Sequence, residues 1–203
     1  MTRRPTWLRL ALLAVALSAC AEVFSPQGTA PADGAERPPT SVPAVGDDPM
    51  WLEWMRGQQY RFLLMNKPAA TVLRVPVRGI SKQRVADTFG APRGGGRLHE
   101  GLDIFAAAGT PVVSATGGIV SRVSTNALGG LVVYTFGAGG RTYYYAHLMR
   151  YGRFKEGDFI QPGDVLGYVG NTGNARGTPP HLHFGVYEMD WTAVNPYRLF
   201  SAE

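Results

Sequence analysis

Four histidines and one aspartate carry the chemistry of this 203-residue sequence. They lie in three short motifs: His99-Glu100-Gly101-Leu102-Asp103, Tyr145-Ala146-His147-Leu148 and His181-Leu182-His183-Phe184. In an extended strand, successive side chains point to opposite faces, so His181 and His183 project from the same face. A carboxylate four residues after His99 supplies an oxygen ligand beside a nitrogen ligand. Two imidazoles and one carboxylate form a common three-ligand catalytic zinc set, with the fourth position left to water. Two histidines then remain near the metal for proton transfer, which suits a side chain that titrates near neutral pH. The reaction type indicated is metal-assisted hydrolysis.

A lone histidine is more often a core or surface imidazole satisfied by a hydrogen bond. Four of them, in motifs of this order and spacing, are poorly explained that way. Other polar residues have plainer readings. Glu100 alternates away from the ligands and is expected to face solvent. Asp158 and Asp164 are expected to shape turns. Arg93 and Arg97 sit just before His99 and would meet a substrate carboxylate, although a solvated surface explains them equally well. Gly94-Gly95-Gly96 is a flexible approach to His99. It is not a phosphate loop, because no lysine followed by serine or threonine comes after it. The single cysteine, Cys20, excludes an intrachain disulfide and a zinc site built on a cysteine pair.

Short β-rich runs separated by glycine turns must position these motifs. Strands are expected near Leu102–Phe105, Pro111–Ala115, Gly118–Ser124, Leu131–Phe136, Thr142–His147, Asp158–Ile160, Val165–Tyr168 and Leu182–Tyr187. Strands this short and closely spaced predict a mainly β domain, an antiparallel sandwich or barrel-like sheet. Residues 48–90 form an entry segment. Pro49 can open a helix with Asp48 as its cap, running to Lys67, whose aromatics pack on the domain. Thr71–Val77 reads as a strand, and Ser81 caps a short helix through Thr88. The rhythm Gly157-Asp158-Phe159-Ile160 and Gly163-Asp164-Val165-Leu166 also occurs in biotinyl and lipoyl carrier domains. Those need a lysine at a hairpin tip, and no lysine follows Lys155.

The amino terminus reads as an address. Arg3 and Arg4 precede a short apolar run, Leu8–Leu17, as in a bacterial export signal, so residues 1–19 are taken as a signal peptide. A run of about ten residues falls short of the roughly 20 that a membrane-spanning helix needs. Leu17-Ser18-Ala19-Cys20 resembles the bacterial lipobox, which implies that Cys20 is lipidated and tethers the chain to a membrane. Ala21 is not the aspartate that favours inner-membrane retention, so the expected home is the outer membrane, facing the periplasm. Residues 20–47 are rich in proline, alanine and small polar residues and read as a disordered linker that spans roughly 30 Å as a coil. Removing Arg3, Arg4 and Arg9 from a net charge of +5 leaves +2, so the basic balance does not argue for nucleic acid.

Taken together, Arg97–Phe184 resembles the lysostaphin/LytM-like zinc endopeptidases of bacterial peptidoglycan. The residues that carry the resemblance are the three histidine motifs, Gly109-Thr110-Pro111-Val112, Gly163-Asp164-Val165-Leu166-Gly167, Gly170-Asn171-Thr172-Gly173 and the exit Val194-Asn195-Pro196. The resemblance implies a LytM-type peptidase domain over residues 91–200. It implies one Zn2+ on His99, Asp103 and His183, with His147 and His181 as catalytic histidines and peptidoglycan stem peptides as substrate. Gly177-Thr178-Pro179-Pro180 departs from the shorter Gly-Pro of many relatives and bears on substrate fit. Two other functions compete. One is a non-catalytic scaffold of the same fold that activates another wall hydrolase; such relatives usually lack ligands, whereas all five key residues are kept here. The other is a wall-binding module with a structural zinc, disfavoured because such sites usually close with four protein ligands.

Overall fold

The stretch before the histidine motifs begins as helix α1, Pro49–Met65. Proline at the first helical position suits an opening turn, and Pro68 disfavours helical backbone just beyond the end. Gly57, Tyr60, Arg61 and Leu64 follow helical spacing and face the sheet. Leu64 is buried, the Tyr60 ring meets Phe159 edge-on at 4.7 Å, and Arg61 lies over the Phe136 ring. Phe62 falls off this stripe, Trp54 lies one turn before Gly57, and both are exposed, so only part of the helix's aromatic content packs on the domain. The computed structural model describes residues 49–201. The signal peptide, Cys20, the linker and the Asp48 cap therefore lie outside the described residues.

The segment after α1 is mostly irregular. The strand expected over Thr71–Val77 is reduced to single bridges, Leu73 to Phe200 and Val77 to Val112. Pro76 lacks the N–H that a ladder needs, though its carbonyl still accepts from Val113 N–H at 2.9 Å. The helix expected after Ser81 is a single 3-10 turn, Lys82–Arg84. It stops because Val85 is extended and buried in the core.

Nine strands follow: β1 Leu102–Phe105, β2 Pro111–Val113, β3 Gly118–Asn126, β4 Gly130–Gly137, β5 Thr142–Tyr151, β6 Phe159–Ile160, β7 Val165–Val169, β8 His181–Tyr187 and β9 Ala193–Val194. All pairings are antiparallel, in the order β1-β8-β5-β4-β3-β6, with β2 on β7, β7 also on β5, and β9 on β8. The mainly β antiparallel fold is as expected, but the sheet is open and does not close into a barrel. Its branch point explains why. β5 pairs with β8 through Thr142–Ala146 and with β7 through Leu148–Tyr151, so one long strand serves two partners in succession.

Alternation then separates core from site. Leu182, Phe184 and Val186 of β8, Leu102 and Ile104 of β1, and Tyr143 and Tyr145 of β5 are almost wholly buried. Each such side chain contributes roughly 1.5–3 kcal/mol relative to exposure. A one-residue slip of β8 would exchange these residues for His181 and His183, so hydrophobic burial fixes the register that presents the histidines.

Candidate metal centre

The register places Asp103 of β1 opposite His183 of β8, and His183 opposite Ala146 of β5, the residue before His147. His99 lies just before β1, its backbone paired with Gly90 and Ala91. Three donor atoms converge. His99 Nε2 lies 3.0 Å from His183 Nδ1, and Asp103 Oδ1 lies 3.2 Å from each of these nitrogens. Among the described residues, these three form the candidate metal cluster.

The chemistry of the trio identifies what it suits. His99 Nδ1 donates to the Thr88 carbonyl at 2.9 Å, so its Nε2 presents a lone pair. Asp103 Oδ1 is also an acceptor. Two acceptors and a third nitrogen this close repel one another unless a proton or cation lies between them. Two ligands of one tetrahedral zinc, at 2.0–2.1 Å from it, stand about 3.3 Å apart, so the set fits zinc. Burial alone would raise the Asp103 pKa. Contacts with His183, His99 and Arg93 outweigh it and hold the carboxyl well below the usual range. Burial lowers the His183 pKa, against the opposing pull of Asp103.

The other two histidines share this space. The His147 and His181 ring centroids are 5.0 Å apart, and His181 Nε2 is 3.9 Å from Asp103 Oδ1. His147 Nδ1 donates to the Thr172 carbonyl at 2.9 Å, and His181 Nδ1 to the Pro179 carbonyl at 2.8 Å. Both rings therefore keep Nε2 as the free nitrogen. Burial first, then the neighbouring His181 and His183, lower the His147 pKa to about 4, against the Thr172 bond that raises it. His147 has φ +63°, in the left-handed region that a side chain of this size rarely adopts. It is the residue at which β5 changes partner from β8 to β7, and its N–H is held by the Gly129 carbonyl at 2.7 Å.

Of the two arginines expected near substrate, Arg93 reaches the metal cluster itself, with Nη2 2.5 Å from Asp103 Oδ2. Arg97 turns back to the Gly94 carbonyl and is exposed. Glu100 is exposed, and the Asp158 and Asp164 carboxylates accept backbone N–H bonds from Lys155 and Gln161 in two matching turns. The departure at Pro179 is nearer the chemistry than its sequence position suggested, since its carbonyl orients His181. Three supporting residues had no assigned role. Thr88 holds His99 through its carbonyl and Asp103 N–H through its hydroxyl. Thr172 joins His147, Leu148 and Leu131. Gly101 gives way to the His183 ring, where a Cβ would lie 2.8 Å from its atoms. Thr172 and Gly101 stood inside recognisable motifs, which was the available signal. Thr88 had none.

Residues 97–196 match the sequence pattern of peptidase family M23. Over 122 residues the chain is 39% identical to an L-Ala–D-Glu endopeptidase of Bacillus subtilis, covering 54% of this chain and 37% of that protein. Over 88 residues it is 35% identical to a peptidoglycan DD-endopeptidase of Vibrio cholerae, covering 43% and 20%. The chain thus spans well under half the length of either curated relative. Among solved structures, the catalytic domain of lysostaphin from Staphylococcus simulans matches with a TM-score of 0.51 at 29% identity, over 55% of this chain and 87% of that one.

Proposed function

We propose that this chain, which carries a peptidase family M23 domain over residues 97–196, is a zinc endopeptidase that hydrolyses peptide cross-links of bacterial peptidoglycan. The observation that carries the reading is the convergence of His99 Nε2, Asp103 Oδ1 and His183 Nδ1 within 3.2 Å, beside two imidazoles with free Nε2 atoms. Zinc bound by that trio would lower the pKa of a bound water toward roughly 7 and polarise the scissile carbonyl.

The chain's own groups supply the rest. His147 is the general base: its Nδ1 proton is committed to Thr172, its Nε2 lone pair is free, and its lowered pKa keeps it neutral at physiological pH. With Nδ1–H on the Pro179 carbonyl, His181 steadies the carbonyl oxygen as an imidazolium, whose Nε2–H donates to that oxygen as negative charge develops there. Arg93 holds the outer oxygen of Asp103. Lipidated Cys20 anchors the enzyme in the outer membrane facing the periplasm, and the linker through residue 47 gives the domain reach toward the wall.

The test is mass spectrometry of muropeptides released from purified peptidoglycan by the zinc-loaded protein. Release of cleaved stems supports the reading, and the masses identify the bond. No release, with release appearing only when a second wall hydrolase is added, overturns it in favour of a scaffold.

A further inference from the structure

The site face of the sheet continues past the histidines as an aromatic floor. Tyr144 pairs with Gly185 across β5 and β8, and its ring stands edge-on to His183 at 5.8 Å. Tyr187 fills the gap that Gly185 leaves. A Cβ on Gly185 would lie 2.8 Å from the Tyr187 ring, so that ring folds back along β8 toward His183. Trp191 lies at the far end, 5.8 Å from the Tyr187 ring and 64% exposed.

Trp191 has φ +64° in the turn that joins β8 to β9. Its N–H donates to the Glu188 carbonyl, and Glu188 N–H donates to the Thr192 carbonyl. A turn position of this kind suits glycine or asparagine. A tryptophan there is strained, and its indole remains largely in solvent. Strain of this sort, kept at the margin of a reaction centre, points to a ligand-facing role.

We infer that Trp191 and Tyr187 form a subsite for a pyranose ring of the peptidoglycan glycan strand. This deepens the proposed function and rests on it. Four steps along β8 separate His183 from Tyr187, about 13 Å. A sugar on Trp191 and a peptide bond at His183 would thus belong to one substrate, a glycan strand and the stem that it carries. Charge favours sugar over peptide as the occupant. Stem peptides bear carboxylates, and the cations near the site, Arg93 and Arg97, lie on the loop before β1. Arg141, on the hairpin side, is committed to Glu188 and to the Ala70 carbonyl. The floor itself offers ring faces and neutral hydroxyls, which match the C–H face and the hydroxyls of an uncharged sugar.

The test is calorimetric titration of the full-length chain with a soluble N-acetylglucosamine oligomer, an uncharged stand-in for the glycan strand, and separately with a free stem-peptide dimer. The wild type is expected to bind the glycan. Trp191→Gly, which relieves the backbone strain, is expected to weaken glycan binding about tenfold, and Trp191→Phe to keep most of it. Trp191→Gly is expected to leave zinc content and cleavage of the free dimer unchanged. Equal glycan binding by wild type and Trp191→Gly overturns the subsite, as does a loss of dimer binding in place of glycan binding. The glycan titration needs no hydrolysis. A protein that binds glycan through Trp191 but cleaves nothing would refute the hydrolase reading alone. One that cleaves but is indifferent to Trp191 would refute the subsite alone.

Discussion

Asp103 divides its two oxygens. Oδ2 meets Arg93 Nη2 at 2.5 Å, while Oδ1 faces His99 and His183 at 3.2 Å each. The guanidinium thus leaves one oxygen for a metal and fixes the plane of the carboxylate. Partners behind a metal ligand typically change affinity or activity 10–100-fold when removed. Arg93→Ala is therefore expected to weaken zinc binding by about that factor, read by competition with a chromophoric chelator. Arg93→Lys should recover part of it through charge alone. Wild-type affinity in Arg93→Ala would show that the contact does not orient the ligand.

The metal cluster and the two flanking histidines are separable by mutation. His183→Ala removes a donor from the trio and should lower zinc stoichiometry as measured by elemental analysis. His147→Ala leaves the trio intact. It should retain zinc and lose hydrolysis by roughly 10²–10⁴-fold, the usual contribution of a general base. Unimpaired digestion of peptidoglycan by His147→Ala would remove that histidine from the mechanism.

The histidine motifs were legible because period-two alternation is a local property. Leu182, Phe184 and Val186 alternate with His181 and His183, and burial of the first set presents the second. The branching of β5 was not legible. Thr142–His147 read as a strand that ended at the histidine, whereas it runs on to Tyr151 with a new partner. Only the left-handed backbone at His147 marks the change, and sequence has no sign for it on a histidine. The carbonyls of Thr88, Thr172 and Pro179 were equally hidden, since every residue has a carbonyl and only the fold decides which one meets an imidazole. Thr71–Val77 looked like a strand by composition, but Pro76 limited it to isolated bridges.

Burial and neighbouring histidines lower the His147 pKa from 6.5 to about 4. Its neutral, proton-accepting form persists well below pH 6.5, so the acid limb that it contributes to the rate should lie near pH 4. Stability follows the same shift. Between those two values the unfolded chain binds the proton and the folded chain does not, so stability falls as pH drops from about 6.5 through 4. A pH–rate profile paired with urea midpoints at several pH values checks both, with His147→Gln expected to flatten the stability slope. A midpoint that rises on acidification through that window would contradict the assignment.

Cys20 is the sole candidate for lipidation in the sequence. Cys20→Ser should move the protein from the membrane pellet to the soluble fraction while leaving the hydrolytic domain unchanged. More than one acyl chain is needed for stable attachment, so partial acylation should give partial pelleting. Unaltered pelleting of the Cys20→Ser protein would rule out the lipid anchor.

Gly101 ties the motif between His99 and Asp103 to the ring of the third donor. A Cβ there would lie 2.6 Å from the Phe184 carbonyl oxygen and 2.8 Å from His183 Cε1 and Nε2. The Phe184 oxygen belongs to a backbone held by ladders to β1 and β5, so the methyl must displace β8 there as well as the His183 ring. Gly101→Ala should therefore lower zinc affinity without removing any ligand. Its cost in fold stability should stay within the 1–3 kcal/mol typical of overpacking. Chelator competition and thermal melting, run on the same preparation, separate the two effects. A variant that melts early yet binds zinc like the wild type would mean that β8, and not His183, absorbs the added methyl.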